Sequence, residues 1–302
     1  MWYKKLMKPP RILCILMLGV FFCAPTGARG DEDRKIDILV SFYPAYITAR
    51  NVVKGIPGVT VTNLTPALTG CLHDYTLNTD DMRKISGAQV FVANGAGMEP
   101  FLERIAREQP HLTMIRLSEG LPLIKSASGG EDNPHAWVSI SNVIVQVENL
   151  SRALGEFDPQ RKELYSRNAA GYIARLEALR ARMSAELAPY KGRPMITFHE
   201  AFPYFAREFG FQIAGVVERE PGSEPSAREL AETIEIIRKN RIPALFSEPQ
   251  YPAGAARVIA RETGARVYVL DPAVTGPDED DAYIRIMENN LAVLKEAFGK
   301  EG

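Results

Sequence analysis

The sequence has 302 residues, 46% apolar and 24% charged, with a formal net charge of −1. Such a length favours two domains, and the composition suits a folded soluble protein. The near-zero charge excludes a global basic field for nucleic acid and gives no compositional support for binding an anionic membrane surface. The chain opens on a basic stretch, MWYKKLMKPPR, with Lys4, Lys5, Lys8 and Arg11. An uncharged apolar run, ILCILMLGVFFCA (12–24), and a small-residue exit, PTGARG, follow. This order predicts a secretory signal over 1–30, cut after Ala28 or Gly30, and hence a periplasmic protein. The apolar run is shorter than the roughly 20 residues of a membrane span. Phe21 and Phe22 precede Cys23 where a lipobox wants small residues, which disfavours lipid anchoring there. Cys14 and Cys23 lie in this segment, so the mature chain keeps Cys71 alone and forms no internal disulfide.

From residue 36 strands and helices alternate. IDILVSF (36–42) reads as a strand, YITARNVVKGI (46–56) as a helix and VTVTNL (59–64) as a strand. A helix at 79–88 carries Asp80 and Asp81 in its first turn, where carboxylates suit the helix dipole. A strand (89–95), a helix (99–109) and a strand (112–117) complete this half. The stretch 118–137 is a Ser-, Gly- and Pro-rich loop. A helix at 140–157 leads into a second at 158–190, opened by Asp158 as N-cap and Pro159 at the first helical position. Leu164, Tyr172, Leu176, Leu179 and Met183 keep its 3.6-residue period. At about 1.5 Å per residue it reaches roughly 45 Å, enough to cross between domains. The alternation then resumes, with strands at 195–198, 211–217, 244–249 and 266–272. Helices are expected at 201–210, 226–240, 253–264 and 281–299. The expected fold is therefore α/β: a lobe over 31–157, a linking helix over 158–190 and a second lobe over 191–302, each with a parallel sheet.

Three of the four histidines share a placement. His73 follows the strand 59–64, His135 sits in the irregular DNPHAW stretch, and His199 directly follows MITF. Ligands of open parallel sheets collect outside the carboxyl ends of strands. Asp271 ends one strand before Pro272, and Glu248 ends another and competes for the same role. Three imidazoles and a carboxylate would close a tetrahedron around a cation such as zinc. A closed site of this kind binds, whereas catalysis needs an open position. His111, between a helix and a strand, reads as an exposed imidazole, and Cys71 as a small packed residue with a soft-ligand role as its alternative.

The segments GCLHDYTLNTDDMRKISGAQVFVANGAGME, DNPHAWVSISN, FHEAFPYFAREFGF and VYVLDP occur in this order. Together they resemble the zinc/manganese substrate-binding proteins of ABC transporters. The resemblance runs over nearly the whole chain after the signal. It implies two α/β lobes joined by one long backbone helix, with a metal in the inter-lobe cleft. His73 and His135 would come from the first lobe, His199 and Asp271 from the second. Histidine at 199 leans toward the zinc branch and away from manganese, since nitrogen donors suit zinc. The implied function is capture of Zn2+, with Mn2+ as the alternative, and delivery to a membrane permease by a monomer that is not an enzyme. Some relatives carry adhesin names. The chain departs from the pattern in having Leu72 before His73, no Asp-Pro after Trp137, and no His-rich acidic loop. An exported zinc hydrolase is the competing class: HEAFP begins like HExxH, but Pro203 occupies the second histidine position.

Overall fold

The structure, a computed structural model, describes residues 1–2, 34–127, 129–217, 225–250 and 254–299. The expected export signal and Cys23 fall on 3–33, outside the described residues. Arg34–Gly302 form one unit, to which everything below refers.

Seven elements build the first sheet in chain order: β1 (Ile36–Val40), α1 (Tyr43–Val53), β2 (Val59–Asn63), α2 (Thr79–Gly87), β3 (Val90–Ala93), α3 (Leu102–Glu108) and β4 (Thr113–Arg116). The strands pair in parallel in the order β2-β1-β3-β4. β3, VFVA, is buried at every residue, as a central strand covered on both faces must be. Edge strand β2 alternates between half-buried and exposed positions. α1 begins at Tyr43, ahead of the expected boundary, because Pro44 fits the first turn. In α2 the two acids differ. Asp81 returns to the Asn78 backbone N–H in a capping box and also accepts the Tyr75 hydroxyl, while Asp80 is exposed.

α4 (Ile140–Phe157) and α5 (Lys162–Leu187) follow. A short 3-10 turn, Pro159–Arg161, separates them, so the expected single segment from 158 is divided. Asp158 does not cap through its side chain. Its carboxylate instead accepts bonds from Arg161 (3.0 Å) and the Tyr165 hydroxyl (2.9 Å), a buried cluster that fixes the turn. The 26 residues of α5 reach about 39 Å, slightly less than the sequence suggests.

The second half repeats the first: β5 (Pro194–Thr197), α6 (Pro203–Phe209), β6 (Gln212–Val216), α7 (Ala227–Asn240), β7 (Ala244–Ser247), α8 (Gly254–Thr263), β8 (Arg266–Val269) and α9 (Ala282–Gly299). Its strands are parallel in the order β6-β5-β7-β8. α6 ends at Gly210, whose φ of 80° is the left-handed conformation a helix C-terminus favours. Ser226 caps α7 with Glu229 as its reciprocal partner. Ser226→Ala should therefore destabilise by about 1 kcal/mol, readable in urea unfolding at an unchanged m-value. Wild-type stability would show that the box contributes nothing.

Successive residues of the second sheet serve two cores. Met195 and Phe246 join an apolar body that runs through α5 to the first sheet. Their neighbours Ile196 and Leu245 face a smaller cluster with α7 and α8. The loop after β8 is fastened to α1. Tyr43 donates to the Pro277 carbonyl (2.8 Å), Asn51 to that of Asp280 (2.8 Å), and Arg50 pairs with Asp278 and Asp280.

Candidate metal centre

In each sheet the chain winds outward in one direction and then the other, leaving a switch point between β1 and β3 and another between β5 and β7. Side chains beyond the carboxyl ends of such strands line a crevice. Glu248 follows β7 directly, and His199 stands one residue further beyond β5, after Phe198. In the first sheet, Asn94 follows β3 and holds the Pro134 carbonyl through its side-chain amide (2.9 Å). That bond brings the loop carrying His135 to the same edge. His73 arrives on the loop after β2, anchored by fully buried Leu72, whose N–H points at the Met98 sulfur.

The three imidazoles meet. His135 Nε2 lies 3.3 Å from His73 Nε2 and 2.9 Å from His199 Nε2. Cys71 joins them, its Sγ 3.6 Å from His135 Nε2. One ligand atom from each of these four residues lies within 4.8 Å of the others. Asp271 is not in this group. Its carboxylate accepts the Ala273 N–H (2.8 Å), and burial pushes its pKa up. Glu248 is buried, accepts the His199 backbone N–H (3.2 Å) and the Gln250 amide (2.8 Å), and so fixes the backbone that carries His199. Asp74 is exposed, and its charge raises the His73 pKa, working against burial. His111 is exposed, as its loop position suggests.

The second nitrogen of His135 settles its tautomer. Asn133 Nδ2 donates to the Glu200 carbonyl (2.8 Å), which turns Asn133 Oδ1 toward the ring. That oxygen accepts from the His135 backbone N–H (2.9 Å) and stands 3.0 Å from Nδ1. The proton therefore sits on Nδ1, and Nε2 presents a lone pair to the cluster. Tyr204 donates to the Asn133 carbonyl (2.6 Å), and Trp137 Nε1 to that of Pro272 (2.7 Å). The loop is thus held from both halves of the chain. Sequence reasoning misses Asn133, because its orientation depends on the distant Glu200 carbonyl; its place two residues before His135 is its one local signal.

Burial lowers the pKa of all three histidines, that of His199 to about 3 and that of His135 well below its ordinary value. The neighbouring rings depress His135 and His199 further. From the ordinary imidazole pKa, cation binding is expected to weaken below about pH 6.5. Burial moves that boundary lower, since these rings stay neutral, the form that binds a cation. Neutral nitrogens converging on one point are what a divalent cation requires of a nitrogen-rich site.

Residues 38–297 match the family described as Zinc-uptake complex component A periplasmic. The zinc-binding lipoprotein AdcA of Streptococcus pneumoniae is 28% identical across 98% of this chain, which spans only 62% of that protein's length. The high-affinity zinc uptake system protein ZnuA of Bacillus subtilis is 26% identical over 94% of this chain and 95% of its own. Among solved structures, the SBP FpvC of Pseudomonas aeruginosa in complex with a Ni2+ ion superposes with a TM-score of 0.80 at 32% identity, covering 89% of this chain and 98% of that one. With the fold, the parallel sheets and nearly the whole described length in agreement, the chain belongs to the ZnuA family of zinc-uptake components.

Proposed function

We propose that this protein captures Zn2+ outside the cytoplasm and delivers it to an ABC permease, binding as a monomer and catalysing no reaction. The convergence of three Nε2 atoms, 2.9 and 3.3 Å apart about His135, carries this reading. His73, His135 and His199 hold the ion as neutral donors, and a fourth protein donor closes the tetrahedron. The resemblance offers Asp271 for that place. The nitrogen-rich set favours zinc over manganese, which prefers oxygen donors. Relatives named for zinc support the choice of ion, and relatives named for uptake support the permease partner. The hydrolase reading gains no support, because Pro203 opens α6 where a second zinc-binding histidine would have to stand.

Purified protein stripped of metal, titrated with zinc and then with zinc against manganese, tests the proposal. Zinc should bind one ion per chain and outcompete manganese by at least about tenfold, following the general order of divalent affinities. Tighter manganese binding would move the protein to the other branch. No binding of either ion would end the reading.

A further inference from the structure

We propose that the Cys71 thiolate, in place of Asp271, is the fourth ligand of the captured ion, making the site a His3Cys cage. The inference rests on the metal-capture reading and names the chemistry of that same site. In tetrahedral zinc, Zn–N bonds near 2.0–2.1 Å place two nitrogens about 3.3–3.4 Å apart, and a Zn–S bond near 2.3 Å places sulfur about 3.6 Å from each nitrogen. His73 and His135 stand 3.3 Å apart at Nε2, and Cys71 Sγ stands 3.6 Å from His135 Nε2. Two edges of the tetrahedron are thus already in place, one of them the edge to sulfur. The edge between His135 and His199, at 2.9 Å, opens slightly on binding.

Backbone placement agrees. Leu72 is fully buried between two half-buried donors, so the chain turns its apolar side chain into the core while Cys71 and His73, two residues apart, both face the cluster. Asp271, by contrast, folds back on its own loop by accepting the Ala273 N–H. On capture, the metal–sulfur bond forms as the S–H bond breaks, and the proton passes to solvent. No oxidant or reductant takes part. A thiolate softens the donor set beyond three imidazoles alone. It sharpens preference for zinc over manganese, which favours oxygen donors.

Cobalt(II) is the probe, because a Co–thiolate bond gives a sulfur-to-metal charge-transfer band in the near ultraviolet that imidazole and carboxylate ligands do not. The full chain loaded with Co2+ should show this band. Cys14→Ser with Cys23→Ser should keep it, and Cys71→Ser should lose it while still binding cobalt through the imidazoles. Outer-shell partners alone are worth about 10–100-fold in metal affinity, so Cys71→Ser should weaken zinc at least about tenfold, and more than Asp271→Asn does. Cobalt bound without the band in the intact chain overturns the thiolate and leaves metal capture standing. A larger loss in Asp271→Asn than in Cys71→Ser overturns it equally. Failure of the intact chain to bind cobalt or zinc at all removes the proposed function itself. The Cys14→Ser, Cys23→Ser chain keeps Cys71 as its one thiol, so a band retained there assigns the sulfur even if Cys71→Ser folds poorly, and a band lost there overturns the proposal.

Discussion

His135→Ala should weaken zinc binding by about 10²–10³-fold, a larger loss than at either neighbouring histidine. Structural zinc sites bind with about 10–16 kcal/mol in all, or about 3 kcal/mol for each of four ligands, and each 1.4 kcal/mol is about tenfold. His135 lies at the hub: contacts from Cys71, His73 and His199 all end on its Nε2. Removing that ring costs one donor and also the surface against which the others are packed. Asn133→Ala should be milder, about 10–100-fold, because it frees the ring to turn without deleting it. The measurement is isothermal titration with zinc, with circular dichroism confirming the fold. If His135→Ala binds like wild type, the ion does not sit among these imidazoles. If Asn133→Ala is as damaging as His135→Ala, orientation and not ligation limits affinity.

The alternation of strands and helices was legible because parallel strands covered on both faces read as short apolar runs, as VFVA does at Val90–Ala93. Placement of His199 was legible for the same reason: the residue after a parallel strand lies at the crevice edge, and MITF ends there. His73 and His135 sit deeper in loops, so their placement at the same edge only suggests a meeting with His199, and the motif resemblance strengthens it. Cys71 was legible only as a packed residue with a soft-ligand alternative, since a thiol in apolar company packs in most proteins and tertiary distance is needed to separate the two roles. Asp158 shows a different gap. A carboxylate before a proline looks like an N-cap, yet Arg161 and Tyr165, three and seven residues on, compete for it and win once buried. The acid run Asp278–Asp281 reads as a solvated surface, and nothing local reveals that Arg50 and Lys54 on α1 neutralise part of it. Nor could the sequence say that Met195 and Ile196, both apolar, face different cores.

Zinc should raise the midpoint of thermal unfolding by about 10 °C without changing the shape of the protein. A ligand at about a thousand times its dissociation constant stabilises the state it binds by about 4 kcal/mol. For a chain of this size each kcal/mol shifts the midpoint by roughly 2–4 °C. The donors come from loops before and after α5, so the ion links both halves of the chain, and unfolding either half releases it. The halves are already joined in two further ways. One apolar body passes through α5 from Val40 and Phe91 to Phe205 and Phe246. The loop after β8 is also pinned to α1 by Tyr43, Arg50, Asn51 and Lys54. Opening the cleft widely would break that pinning and expose part of the shared core, so lobe movement on binding should be small. Differential scanning calorimetry reads the first effect, and small-angle scattering with and without zinc reads the second. A thermal shift lost in His135→Ala together with superimposable scattering curves is the expected pair. A large expansion of the metal-free protein would mean that the continuous core and the α1 contacts form only after the ion has bound.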